Sequence, residues 1–146
     1  MDYIAIKDAL VALFHRHFPA YAISAEEYAK VGGRPGLEDY IYLDIRPAGS
    51  ATVDAYRTDR QVLVDAVIHC RGESRLAYLA AAYQVDQAVR PMVQVGDRAI
   101  TVPDLDSQVV DGLLHCVFTL SFRDGAEHHG GELAEELIID NNIERM

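Results

Sequence analysis

Two His-Cys dipeptides, His69-Cys70 in IHCR and His115-Cys116 in LHCV, hold the residue types most able to do chemistry in this chain. Imidazole and thiolate ligate zinc, and a thiol beside an imidazole can become a nucleophile. Both dipeptides sit in runs where apolar and mixed residues alternate, the pattern of a strand with one buried face. Neighbouring side chains on a strand point to opposite faces. If the two strands are adjacent, His69 and His115 meet on one face and the two cysteines on the other. Four donors then fail to converge on a tetrahedral site, and neither thiol has an imidazole at hand. A metal- or thiol-dependent enzyme built on these four residues is therefore the weaker alternative. Both cysteines fall in apolar rows, where a free thiol acts as a small hydrophobe, and two are too few for a disulfide framework.

The other candidates are thinner. His15 and His17 lie two apart in a helical pattern, roughly 200° around the axis from each other, and cannot chelate together. His128 and His129 are adjacent in an acidic stretch. AGSA, Ala48 to Ala51, lacks the glycines of a nucleophile elbow, and no HExxH occurs. Asp104 and Asp106 have no EF-hand spacing after them. The glycines of KVGGRPGLED, Lys30 to Asp39, are not followed by Gly-Lys-Ser/Thr, so the segment reads as a loop and not a phosphate cradle. The sequence predicts no catalytic residue, no metal site and no cofactor.

The elements that position these residues read as helix, strands, helix, strands. Asp2 to Phe18 repeats Tyr3, Ile6, Leu10, Leu13, Phe14 and His17 at helical spacing, with Asp2 as N-cap and Pro19 as stop. Tyr21 to Ser24 is a short strand. Tyr40 to Arg46 alternates, with Ile41, Leu43 and Ile45 inward, and PAGSA (Pro47 to Ala51) supplies turn residues. Thr52 to Arg71 is a long second arm with Val62, Val64, Ala66, Ile68 and Cys70 in one apolar row. Glu73 to Arg90 is the second helix, its stripe assigned to Leu76, Leu79, Ala80 and Tyr83. Val93 to Val95 and Ala99 to Val102 flank Gly96-Asp97 as a hairpin. The expected fold is α+β, two helices on one face of a mainly antiparallel sheet with long strands. A domain over residues 1–124 is followed by an acidic tail or arm over 125–146, within which Glu132 to Ile138 has the pattern of a short helix.

Length and composition fit one domain with a real core: 146 residues, half of them hydrophobic and a quarter charged. The N-terminus lacks the pattern of a signal peptide and no run of 18 apolar residues occurs, so synthesis in the cytoplasm and no membrane partner are expected. The formal charge is −10. Residues Gly125 to Met146 contribute six acids against Arg145, half of that net charge. Proteins that hold DNA replace its counterions with Lys and Arg. This chain does the reverse.

Ser107 to Asp124 alternates over 18 residues, with Val110, Leu114, Cys116, Phe118, Leu120 and Phe122 in one row. Fully extended, it reaches roughly 60 Å, whereas a compact domain of this size is roughly 38 Å across. Either the strand bends at Gly112, or it projects and another chain covers it. Covering by sister copies, closed head to tail, makes a ring.

The chain resembles the tail terminator proteins of long-tailed bacteriophages and their prophage relatives. Three stretches carry the likeness: the first helix running into FPAYAISAEEY, EDYIYLDI with the arm through RQVLVDAVIHC, and VVDGLLHCVFTLSF with its Asp111, Gly112, Leu113, Leu114, His115 run. The resemblance spans roughly residues 1–124, and the tail after Gly125 is an addition to the family pattern. It implies a structural virion protein of the tail or neck, assembled in the bacterial host cytoplasm. Such a protein caps the tail tube as a hexameric ring, ends its polymerisation and joins it to the head connector, while DNA passes through without specific binding. The alternative within the same virion is a ring on the head side of the neck. Asp111, Gly112, Leu113, His115, Val117 and His69, with Gly32, Gly33 and Arg34 of the loop, are the expected subunit or partner contacts.

Overall fold

The computed structural model describes residues 1–26 and 39–125. Helix α1 spans Tyr3–His17 and begins where the sequence places it: the Asp2 carboxylate accepts a 2.7 Å hydrogen bond from the Ala5 N–H, satisfying one of the orphan donors of the first turn. Strands β1 (Ala22–Ser24), β2 (Tyr40–Asp54) and β3 (Arg57–His69) follow. A short 3-10 turn, Arg71–Glu73, leads into helix α2, Arg75–Val89, capped by the Ser74 hydroxyl on the Ala77 N–H. Strands β4 (Met92–Val95), β5 (Arg98–Thr101), β6 (Asp106–Val110) and β7 (Leu113–Gly125) complete the chain. The fold is α+β with a mainly antiparallel sheet of long strands.

The main sheet has the order β1-β2-β3-β7-β6, and β4 and β5 form a separate two-stranded ribbon. β1 runs parallel to β2, while β6 runs antiparallel to β7 and β4 antiparallel to β5. The chain divides into two compact units, one of Met1–Gly49 with Gln61–Phe122, the other of Ser50–Arg60 with the stretch that starts at Arg123. In the first, Ile6, Leu10 and Phe14 of α1 join Tyr78, Ala81, Val85 and Val89 of α2, the apolar row Val62 to Cys70 and the row Leu114 to Phe122 in one core. Both cysteines are buried free thiols. In the second unit, Asp54 accepts from the Tyr56 N–H and from Arg57, closing the turn Ala55–Tyr56. Arg123 pairs with Asp59 and Arg60 with Asp124.

Three expectations are corrected. The turn assigned to Pro47–Ala51 is part of β2, which continues to Asp54. Proline is tolerated there because β1 pairs only with Tyr40, Ile41 and Tyr42, leaving this part of β2 without that neighbour. The long run Ser107 to Asp124 is two strands, not one. Asp111 and Gly112, both at positive φ (53° and 77°), form a two-residue hairpin turn between β6 and β7. The stripe of α2 is also out of phase: Leu76, Leu79 and Tyr83 are exposed at 76%, 62% and 65%, and Tyr78, Ala81, Val85, Ala88 and Val89 face the core.

Candidate functional site

The expected contact residues fall in different places. Leu113, His115 and Val117 of β7 are half-buried, alternating with the core row, on the sheet face opposite the core. Asp65 of β3 shares that face, and its carboxylate sits 3.0 Å from His115 Nδ1. Asp111 is exposed in the hairpin turn, and the polar partner of His115 within the chain is Asp65. Asp65 was visible in the sequence as part of the polar row opposite Val64 and Ala66, but only the adjacency of β3 and β7 picks it out. His69 is enclosed at 1% exposure, its ring stacked on Tyr40 with centroids 5.1 Å apart. Glu73 reaches to 3.9 Å from its Nε2. A side chain so enclosed presents no surface to a neighbouring subunit. Gly32, Gly33 and Arg34 lie outside the described residues, as does the stretch Glu132 to Ile138.

Gly112 has a structural duty. A Cβ there would come within 2.9 Å of the Glu73 carboxylate, on a backbone already left-handed. Its carbonyl accepts a 2.5 Å hydrogen bond from the Tyr78 hydroxyl, and that hydroxyl oxygen in turn accepts from the Cys70 N–H at 3.5 Å. One side chain of α2 thus ties the end of β3 to the start of β7. Burial raises the Tyr78 phenol above its ordinary pKa.

The dipeptides do not build a reactive centre. Burial pushes the Cys116 thiol up to about 11, with only a weak contact to the Ser107 hydroxyl working against it. Cys70 is likewise raised by burial, and its sulfur lies 3.3 Å from the Tyr21 hydroxyl. Among the described residues no group of three or more His, Cys, Asp or Glu side chains could hold a metal ion. No helix there is long and apolar enough to cross a membrane.

What the described surface offers instead is apolar area. A groove of about 520 Å³ runs between α2 and the β6–β7 hairpin, lined by Tyr78, Leu79, Ala82, Val109 and Leu114. Reading α2 in the wrong phase hid it, since the groove needs Leu79 outside. A family model described as phage tail terminator protein matches residues 5–132. The chain belongs to the phage tail terminator family. It is accordingly a structural component of the phage tail, from a family of structural virion proteins, and its place is the virion tail. No curated protein matches the chain. Among the solved structures that match, one is similar at 18% identity and a TM-score of 0.48, over 88% of this chain and 99% of its own length.

Proposed function

We propose that copies of this chain assemble as a hexameric ring on the end of the tail tube, stop tube polymerisation and present a second face to the head connector. The observation that carries the reading is membership of the tail terminator family over residues 5–132. The surface supports it. β6 is an outer strand of the sheet with all five residues exposed, and open edges and apolar surface are what a subunit covers on assembly. The charge supports a passage for DNA. At −10 the chain repels a polyanion instead of trading counterions with it.

The test is to add purified protein to polymerising tail tube protein and to image tube ends, with native mass spectrometry on the protein alone. Tubes of arrested length with one added ring per end, and a species of six chains, are expected. Tubes that grow unchecked while the protein binds only the connector would move it to the head side of the neck.

A further inference from the structure

Helix α2 has a second apolar stripe that the described residues leave uncovered. Leu76, Leu79 and Tyr83 follow the i, i+3, i+7 spacing of one helix face, and all three are exposed. The stripe borders the groove lined by Tyr78, Ala82, Val109 and Leu114, with Arg75 at its rim. Beyond the groove lies the open edge of β6. Helix face, groove and edge form one continuous surface of the kind that takes a helical partner segment.

The chain itself carries a matching segment. Residues 126–146 follow the described structure, and the family pattern ends at residue 132. Across that point, from Gly131 to Ile139, the sequence reads GELAEELII. Leu133, Ala134, Leu137 and Ile138 recur at spacings of three and four, and Glu132, Glu135 and Glu136 take the remaining side of a helical wheel. That is the pattern of an amphipathic segment for an apolar groove, and its acidic flank can face Arg75, which shares the groove wall with Glu73.

We propose that the outer face of α2 and its groove receive residues Glu132–Ile139 of a neighbouring copy. The two halves of such a contact are unlike surfaces, so it is heterologous, and repetition about an axis closes a ring. The inference rests on the ring assembly proposed above and adds which surfaces meet. It also gives a role to the part of the tail that the family pattern does not include.

The test uses two full-length chains with different tags, coexpressed, one carrying Leu79→Cys and the other Leu137→Cys. Native Cys70 and Cys116 are buried, which keeps background low. Mild oxidation should yield a dimer bearing both tags, at least tenfold above a control pair that carries Asp97→Cys in place of Leu79→Cys. Separately, Leu76→Glu and Leu137→Glu should each weaken self-association by tenfold or more at an unchanged melting midpoint. A crosslink formed only within single, doubly substituted chains overturns the proposal. So does an oligomer that assembles normally with Leu137→Glu and gives no 79–137 crosslink, although the ring reading then survives. If Leu76→Glu abolishes tube binding but not self-association, the face belongs to the tube and the proposal fails. A wild type that stays monomeric with and without tubes removes both.

Discussion

Substitution of Gly112 by alanine tests the hairpin between β6 and β7 most directly. Two costs meet at this position. The backbone is left-handed at φ 77°, where an L-residue pays roughly 1–2 kcal/mol. Loss of the freedom glycine brings to the unfolded chain returns about 0.4–1 kcal/mol of that. The added Cβ also meets Glu73 Oε1 at 2.9 Å, the far end of a flexible side chain that can yield. The expected net loss is about 0.5–1.5 kcal/mol, mostly strain, which lowers the melting midpoint of a chain this size by roughly 1–6 °C. Gly96 supplies the control: it is left-handed too, φ 61°, with nothing within 4 Å of a Cβ. Gly96→Ala should therefore report strain alone, and Gly112→Ala should exceed it by a few tenths of a kcal/mol that vanish in a Glu73→Ala background. Gly112→Asn should recover part of the loss, because asparagine tolerates this conformation. Urea titrations followed by circular dichroism measure all six proteins, wild type and Glu73→Ala included. Gly112→Ala with an unchanged midpoint, or Gly112→Asn no better than Gly112→Ala, would refute the turn as described.

Further outcomes follow from individual contacts. Tyr78→Phe removes the hydroxyl shared by the Gly112 carbonyl and the Cys70 N–H and should cost about 1–3 kcal/mol in the same titrations. The Cys116 thiol, at about 11 in the fold against an ordinary 9.0, gives a pH signature. The unfolded chain loses this proton first, so the contribution is intact below about 9 and disappears as pH rises toward 11. It amounts to on the order of 2 kcal/mol, and Cys116→Ala should flatten that part of the pH–stability curve. In the native protein at pH 8 neither thiol should react with a disulfide reagent until urea unfolds the chain. His115→Asp places a second carboxylate against Asp65 and should reduce stability or ring formation, both regained in the Asp65→Asn background; unchanged melting and assembly would remove that face from the contact.

The rows that build the core were readable because one-sided burial leaves a clear period: Val62 to Cys70 at spacing two, Ile6, Leu10 and Phe14 at spacing four. The Asp2 cap was readable for the same local reason. Helix α2 was misread because it carries two apolar stripes. The larger side chains, Leu76, Leu79 and Tyr83, claim the core by size, yet Tyr78 with Ala81, Val85, Ala88 and Val89, most of them small, occupies it. The hairpin was hidden by the alternation itself. Across a two-residue turn Val109, and not Val110, stands opposite Leu114, so the face changes parity while the apolar count along the sequence does not. Asp111-Gly112 is a strong turn signal, but unbroken alternation on both sides of it leaves a bend at Gly112 and a projecting strand both open. The partner of His115 could not be read at all, since only the order of strands in the sheet brings Asp65 to it.

The Tyr78 hydroxyl touches the chain at two places 42 residues apart, the Cys70 amide and the Gly112 carbonyl. A sideways load on this helix would reach both strands at a single oxygen, with no soft linker between to absorb it. Whatever seizes the outside of the helix therefore pulls on the middle of the sheet. Docking and rigidity are mechanically the same event in such a part, and a loosened joint there would be felt first as a failure to transmit force, before any loss of shape.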